Sequence, residues 1–399
     1  METNRTRGAQ REEGLIGAID QDEAVRRREF PICARNVYCA HAADAPLPRR
    51  VAGAMWDSIE RSSTDARQYD RELERIAETR ELVARLLGAK VDEISLTGPT
   101  SSGLNVIASG LEWHDGDEVV CYLDDYPANV YPWLALERRG VKPVLLETGR
   151  IGEITPQIVE RALTKKTKLV ALASANFCSG YRIDLESIGA LCAERGVLFS
   201  VDAIQTLGAT PIKLDQIDFL SAGAQKWMLG PSGSGILYVK RHKHDLLQPS
   251  VLGGWNVQSR NFIAGREIEY ATGGRRFEPG AYYHAAIAGM GAAVKLLLEV
   301  GVDAIANRIQ LLQGTLERQI NKEQFEFLSP NFREARSGIL TFRHHDVASE
   351  RLFEALTQSD VIVSLRFDRT DRAWLRVSPH FYNTEAEMVK IGEVLGRSI

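Results

Sequence analysis

Lys226 and Asp202 carry the clearest sign of chemistry in this sequence. Lys226 comes shortly after the apolar run 217–220, and Asp202 ends the apolar run 197–201. A lysine and a carboxylate at the ends of two neighbouring strands suit pyridoxal 5′-phosphate (PLP). The amine forms a Schiff base with the cofactor aldehyde, and the carboxylate keeps the pyridine nitrogen protonated, so that a carbanion at the substrate Cα becomes accessible. Either residue alone is more often a loop lysine or a helix cap, so the interpretation depends on further positions.

Residues 98–105 are a candidate phosphate site. This segment of small and hydroxyl residues follows a predicted strand and opens a predicted helix. Free backbone N–H groups and hydroxyls at a helix N-terminus bind anions, so Thr100 and Ser101 are candidates to hold a phosphate. A plain Ser/Thr helix cap is the alternative.

Three side chains that follow other apolar runs are candidates to contact a cofactor ring. Tyr126, after the run 119–123, offers an aromatic face for stacking. Asn176, after the run 169–173, and Gln205, three residues beyond Asp202, are candidate donors to the ring oxygen. Each of them is also a common loop or turn residue.

Arg376 lies in an apolar run, 375–377, that predicts a strand. An arginine in such a place must find an anion, because leaving its charge unpaired and buried is costly. The functional interpretation is a bidentate clamp on a substrate α-carboxylate. An internal ion pair is the alternative.

The elements that must position these residues alternate between strand and helix patterns. Strand candidates lie at 94–96, 118–121, 142–146, 169–173, 197–201, 219–222 and 235–239, and helix patterns lie between several of them. This alternation predicts an α/β fold with a mostly parallel, seven-stranded sheet covered by helices, and ligands bind beyond the carboxyl ends of such strands. Before it, the region 51–87 has helical periodicity, with Leu73, Ile76, Val83 and Leu86–Leu87 as the expected buried stripe.

A smaller α+β unit is predicted after the sheet. Helices are expected at 285–298, 305–320 and, with a cap at Thr384, at 384–396, and strands at 338–343, 361–366 and 374–377. The predicted domains are an N-terminal segment, 1–45, that joins the small domain, a large PLP-binding domain, 46–284, and the small C-terminal domain, 285–399.

Composition excludes several function classes. The chain has 399 residues and a net charge of −4, which gives no drive toward nucleic acid or anionic membranes. No run of 18 apolar residues occurs, and the polar segment 1–13 lacks the apolar region of a signal peptide, so a cytoplasmic protein is expected. The five cysteines lack metal-binding spacing, so no metal is expected, and they fit buried free thiols. They are Cys33, Cys39, Cys121, Cys178 and Cys192.

Taken together, these segments resemble the class V aminotransferase superfamily of fold-type I PLP enzymes, which includes cysteine desulfurases, kynureninases and isopenicillin N epimerase-like proteins. The resemblance covers nearly the whole chain. The segments that carry it are 99–105, 125–133, 174–176, 201–208, 225–235, 276–280 and 375–384.

The resemblance implies a role for each matching residue. Lys226 is the Schiff-base lysine and Asp202 the partner of the pyridinium. Gln205 and Asn176 bond the ring oxygen, Thr100 and Ser101 hold the phosphate, and Gln225 stands at a cofactor-contacting position. Arg376 binds the substrate carboxylate. The family also implies a homodimer with shared active sites, in which Thr272 and Gly273 approach the partner's site.

The sequence departs from its relatives at four points. Tyr126 or Pro127 stands where desulfurases carry a histidine over the ring, and residues 223–225 are Gly-Ala-Gln where many relatives have Ser-Gly-His. Ala281 replaces a threonine that reaches the neighbouring phosphate. No cysteine follows Cys192, so the C-terminal persulfide-forming cysteine of desulfurases is missing.

Several reactions remain open. The first hypothesis is a PLP lyase that removes the Cα proton of an amino acid and eliminates a β-substituent, for example by breaking a C–S bond, in specialised metabolism. Transamination or epimerisation at the same carbon uses the same residues. A non-catalytic scaffold is disfavoured because Lys226, Asp202 and Arg376 are all present. A nicotinamide enzyme is disfavoured because no Gly-x-Gly-x-x-Gly follows a strand.

Overall fold

Strands and helices alternate along most of the protein, of which a computed structural model describes residues 14–259, 261, 263–280 and 282–399. The polar segment 1–13 and Ala281 lie outside the described residues. The strands are β1 (Val37–Tyr38), β2 (Ile94–Thr97), β3 (Glu118–Cys121), β4 (Lys142–Leu145), β5 (Thr167–Ala173), β6 (Leu198–Asp202), β7 (Phe219–Gly223), β8 (Gly235–Val239), β9 (Phe325–Phe327), β10 (Leu340–His344), β11 (Val361–Ile362), β12 (Ser364–Phe367) and β13 (Ala373–Val377). The α-helices are α1 (Leu15–Gln21), α2 (Glu23–Glu29), α3 (Arg49–Thr64), α4 (Gln68–Leu87), α5 (Thr100–Gly110), α6 (Tyr131–Leu134), α7 (Pro156–Ala162), α8 (Leu185–Glu194), α9 (His284–Val300), α10 (Val302–Gln319), α11 (Ser349–Gln358) and α12 (Glu385–Arg397).

A seven-stranded sheet with the spatial order β2-β8-β7-β6-β5-β3-β4 confirms the predicted fold class. The strands from β7 to β4 are parallel to their neighbours, whereas β8 runs antiparallel to both β7 and β2. β5, β6 and β7 are buried along nearly their whole length, as expected for strands covered by helices. In register, Asp202 lies between Ala173 and Ser221, which brings the ends of β5, β6 and β7 together at one edge.

The helical periodicity over 51–87 belongs to two helices, α3 and α4, rather than to one. α3 ends at Thr64, and the next residue, Asp65, is extended and accepts a hydrogen bond from the Arg67 backbone N–H (2.9 Å). This local turn competes with the helix and redirects the chain. Within α4 the buried stripe includes Ile76, Val83 and Leu87, but Leu73 is exposed.

A four-stranded antiparallel sheet, β12-β13-β10-β9, forms the centre of the C-terminal part. The expected strand over 361–366 is two strands: β11 pairs with β1, and β12 pairs with β13. β9 and α11 were not predicted. In the last helix, α12, the Thr384 hydroxyl and the Glu387 carboxylate form the expected capping box.

No single helix among the described residues is long and apolar enough to cross a membrane. α9 and α10 meet the length and composition requirements only together, and the pair is bent by 78°. α9 is largely buried, consistent with a core helix.

Candidate active site

A cavity of about 310 Å³ lies where the carboxyl ends of β5, β6 and β7 meet the strands β12 and β13. It brings together most of the residues singled out from the sequence. Other cavities, among them three of about 540, 550 and 570 Å³, are larger but do not contain these residues. The residues lining the smaller cavity are Ala42, Ala43, Pro99, Thr100, Ser101, Tyr126, Ala128, Phe177, Asp202, Ile204, Gln225, Lys226, Arg366 and Arg376.

Lys226 is held at the cavity by a tight turn after β7. The backbone N–H of Gly230 donates to the Ala224 carbonyl (2.8 Å), and that of Leu229 donates to the Lys226 carbonyl (3.0 Å). The lysine is only 7% exposed. Burial, together with the charge of Arg376, lowers the pKa of Lys226 to about 8. Its amine therefore gives up its proton far more readily than an ordinary lysine, which suits a nucleophile or a base.

Asp202 is the last residue of β6 and is buried. One carboxylate oxygen accepts a hydrogen bond from the Ile204 backbone N–H (3.0 Å), which fixes the side chain. Burial raises the pKa of Asp202 to about 6. A buried carboxylate with so little compensation is stabilised by a cation placed beside it, and a protonated pyridine is such a cation.

An anion cradle opens at the N-terminus of α5. No side chain caps this helix, and Thr100 and Ser101 in its first turn line the cavity. The Thr100 hydroxyl oxygen accepts from the Gly223 backbone N–H (2.8 Å), which leaves its hydrogen free to donate. The side-chain oxygen of Gln225 is buried without a partner among the described residues. Amide oxygen and nitrogen positions are interchangeable, so Gln225 is equally able to donate to an anion here.

Tyr126 borders the cavity next to Lys226. The lysine Nζ lies 5.3 Å from the centre of the tyrosine ring, and about half of the ring is exposed. The buried Asp125 carboxylate fixes this loop by accepting hydrogen bonds from the Tyr126 N–H (2.7 Å), the Asn129 amide (3.0 Å) and the Ala173 N–H (3.2 Å). Asp125 was not among the residues predicted from the sequence, although it stands directly before Tyr126.

Asn176 and Gln205 do not line the cavity, and their amides make other hydrogen bonds. Asn176 donates to the Asp124 carbonyl (2.9 Å), and its oxygen accepts from the N–H groups of Cys178 and Ser179 (3.0 Å each). Gln205 donates to the Ala42 carbonyl (3.1 Å) and accepts from the Trp227 indole (3.0 Å). In this arrangement Asn176 holds the loops that follow β3 and β5, and Gln205 links Ala42 to Trp227 beside Lys226.

Thr272 and Gly273 also lie outside this cavity. Thr272 precedes, and Gly273 begins, a short 3₁₀ helix, Gly273–Phe277, that packs beside β2. Gly273 has a φ of 63° and sits close to Asp92, where an added Cβ would lie 2.9 Å from the Asp92 carbonyl oxygen.

Arg376 is buried in β13 with its charge unpaired. Its guanidinium donates to the Phe177 carbonyl (2.5 Å) and to the Ser364 hydroxyl (3.3 Å), while its Nε has no partner. No ion pair to Arg376 occurs among the described residues. Burial and the charge of Arg366 lower its pKa to about 9. These features favour the carboxylate clamp over the internal ion pair.

Comparison with known proteins places this site in a family. The model for class-V aminotransferases matches residues 37–390. The chain belongs to the class-V aminotransferase family. A probable cysteine desulfurase from Pyrococcus abyssi is 27% identical over 338 residues, covering 81% of this chain and 83% of its own length.

Solved structures of class-V proteins have the same fold. A cysteine desulfurase from Thermococcus onnurineus superposes with a TM-score of 0.84 at 22% identity, covering 93% of this chain and 96% of that one. The cystine C–S lyase C-DES, in complex with its reaction product cysteine persulfide, superposes with a TM-score of 0.83 at 21% identity, covering 92% and 98%.

As a class-V protein, the chain is a PLP-dependent enzyme, and its cavity fits the cofactor. Asp202 is a buried carboxylate that a neighbouring cation would stabilise, and Lys226 is a buried amine with a lowered pKa. The cradle at Thr100 and Gln225 offers donors to a phosphate, and a Cβ at Gly223 would crowd both of these side chains.

Proposed function

We propose that this enzyme breaks a C–S bond by β-elimination from an S-substituted cysteine, in specialised metabolism. The observation that carries the proposal is a cavity that combines a low-pKa lysine and an unpaired arginine with no accessible thiol. The departures at Tyr126 and Gln225 support a substrate other than the common one of the family.

Each step of the reaction can be assigned to a residue of this chain. Bound PLP supplies an electron sink for the Cα carbanion. Arg376 holds the α-carboxylate, and Lys226 Nζ accepts the Cα proton. The electron pair of the C–H bond then forms the Cα–Cβ double bond as the Cβ–S bond breaks, and the sulfur leaves as a thiolate that takes up a proton. The thiol is released at that step, and addition of water to the remaining unsaturated amino acid gives pyruvate and ammonium.

The cysteines support elimination over persulfide formation. All five are free and buried, as expected from the sequence. Cys178, beside the cavity residue Phe177, is 3% exposed, and burial raises the pKa of its thiol to about 11. Attack on the substrate sulfur requires an exposed thiolate, which a buried thiol of high pKa does not supply.

A homodimer with shared active sites is part of the proposal. The cavity of about 540 Å³ is lined by Gly98 and Ser102, which flank the phosphate cradle, and by Tyr282 and Tyr283. Tyr283 is 64% exposed and Val251, at the same cavity, is 62% exposed. Exposed apolar side chains around a cavity are typical of a protein interface. A partner covering this face would lie against the cradle.

The proposed domain division also has structural support. β1 pairs with β11, and Ala40 forms an isolated bridge with Ser378, so the N-terminal segment contacts the C-terminal sheet. We therefore propose the boundaries 1–45, 46–284 and 285–399, although α9, placed after the second boundary, packs on α3 and α4.

A product assay tests the proposal. The PLP-loaded enzyme is incubated with L-cysteine and with S-ethyl-L-cysteine, and Lys226→Ala serves as the inactive control. The expected products are thiol or sulfide, pyruvate and ammonium in equal amounts. Alanine with a protein-bound persulfide would assign a desulfurase instead. Keto acid without ammonium would assign transamination, and loss of optical rotation alone would assign epimerisation.

A further inference from the structure

A second arginine, Arg366, lines the active-site cavity and has no role in the reaction described above. The other charged groups of the cavity are accounted for: Asp202 suits the pyridinium, Lys226 the aldehyde and the Cα proton, and Arg376 the α-carboxylate. The phosphate has its own cradle at the start of α5. One positive charge therefore remains without a partner.

The contacts of Arg366 among the described residues leave its charge without a carboxylate partner. The side chain is partly buried, and its one hydrogen bond among the described residues goes to the neighbouring Leu365 carbonyl (3.0 Å). No ion pair to Arg366 occurs in the described part of the chain. Its near neighbour Arg369, by contrast, pairs with Asp124. Burial lowers the pKa of Arg366, in keeping with the missing ion pair.

The two arginines share one face of the small sheet. Ser364 lies opposite Arg376 in the register of β12 and β13, and Arg366 lies opposite Trp374. Residues two apart on a strand project to the same side, so Arg366 and Arg376 are diagonal neighbours across the strand pair. Such neighbours are about 7–8 Å apart. That spacing suits two anionic groups of one small molecule, one at Cα and one on its side chain.

We propose that Arg366 binds a second anionic group on the substrate, so that the preferred substrate is an amino acid whose β-substituent ends in a carboxylate or sulfonate. The reaction assumed here is the proposed β-elimination, so the inference rests on that proposal. The preference for an acidic substrate rests on Arg366 alone. A bidentate guanidinium contact recognises either oxyanion.

A comparison of two substrates of similar size shows whether Arg366 recognises a second anion or affects all substrates alike. S-carboxymethyl-L-cysteine carries the second anion, and S-ethyl-L-cysteine does not. The wild-type holoenzyme is expected to have the higher kcat/KM for the acidic substrate. Arg366→Gln should lower that kcat/KM by about 10- to 100-fold, mainly through KM, since this is the range for a hydrogen bond to a charged group. With S-ethyl-L-cysteine the change should stay within about threefold.

Two further variants complete the test. Arg366→Lys keeps the charge and should recover part of the activity toward the acidic substrate. Arg372→Gln, exposed on the same hairpin, should leave both substrates unaffected. S-sulfo-L-cysteine in place of the carboxymethyl compound tells sulfonate from carboxylate recognition. Equal losses for the acidic and the neutral substrate in Arg366→Gln would overturn the proposal, as would a wild-type preference for S-ethyl-L-cysteine.

A binding measurement keeps the test separate from the proposed reaction. The affinity of the holoenzyme for S-carboxymethyl-L-cysteine is measured by the change in its visible absorption, whether or not products form. Weaker binding in Arg366→Gln without any pyruvate in either protein would support the anion site and refute the elimination. Pyruvate formation together with an unchanged affinity in Arg366→Gln would support the elimination and refute the anion site.

Discussion

Replacing Asp202 by asparagine should stabilise the cofactor-free protein while impairing the enzyme. The ionised carboxylate is buried at the end of β6 with one backbone hydrogen bond, from Ile204. An asparagine oxygen can accept the same hydrogen bond, so Asp202→Asn removes the charge and leaves the local geometry in place. The variant lacks the anion that pairs with the pyridinium, and turnover should fall by about a hundredfold or more.

The size of the stabilisation follows from the pKa of Asp202. Burial raises it from an ordinary value of 3.8 to about 6. Because one pKa unit corresponds to about 1.4 kcal/mol, the ionised group destabilises the apoprotein by up to about 3 kcal/mol. Between the two pKa values the folded protein holds more protons than the unfolded chain, so the free energy of unfolding falls as pH rises, and the destabilisation is complete above about pH 6.

Urea unfolding of the apoproteins measures this effect. The free energy of unfolding of Asp202→Asn should approach that of the wild type at about pH 4. At about pH 7 it should be higher than that of the wild type by up to ~3 kcal/mol. Asp184→Asn is a control that should lower the free energy of unfolding at neutral pH. Hydrogen bonds from Ser187 outweigh the effect of burial and lower the pKa of Asp184. Added PLP should stabilise the wild type more than Asp202→Asn. An apo variant less stable than the wild type at neutral pH would refute the reasoning.

Further predictions concern the clamp, the thiols and the assembly. Arg376→Lys keeps the charge but loses the planar fork, so KM for any amino-acid substrate should rise by about tenfold or more with a smaller change in kcat, as steady-state kinetics will show; an unchanged KM would remove Arg376 from the substrate site. Cys178→Ser should form pyruvate at a rate within about twofold of the wild type, because the buried thiol takes no part, and a near-complete loss of pyruvate from the folded variant would return the protein to persulfide chemistry. The active holoenzyme should sediment as a dimer, and a monomer that retains full turnover at the same concentration would contradict shared sites.

The central sheet was predictable from the sequence because its strands are short apolar runs between clear breaks. β3 and β8 match their predicted bounds, and the other strands of this sheet differ by one or two residues. The break within 51–87 was not predicted because a local turn at Asp65 interrupts a pattern that stays periodic on both sides. β11 and β12 were predicted as one strand, because Val363, which separates them, is as apolar as the strand residues around it.

A site residue was predictable from the sequence where its residue type has few structural roles at such a position. It was less predictable where the residue type has many structural roles. Lys226, Asp202 and Thr100, at or after the ends of strands, and Arg376, within a strand, all line the cavity. Asn176 and Gln205 have amides that hydrogen-bond to loop groups just as well, and they do so here, so their contact with the cofactor stays a prediction. Arg366 could not be assigned, since only the pairing of β12 with β13 places it beside Arg376.

The most direct test of the account is to locate the cofactor on the chain. The purified holoenzyme is reduced with borohydride, digested, and mapped by mass spectrometry for a pyridoxyl-phosphate adduct. The adduct is expected on the peptide that contains Lys226 and should be missing from Lys226→Ala, which should also lose the visible absorption of the wild type. An adduct on another lysine, or an unchanged adduct in Lys226→Ala, would contradict the assignment of this cavity as the active site.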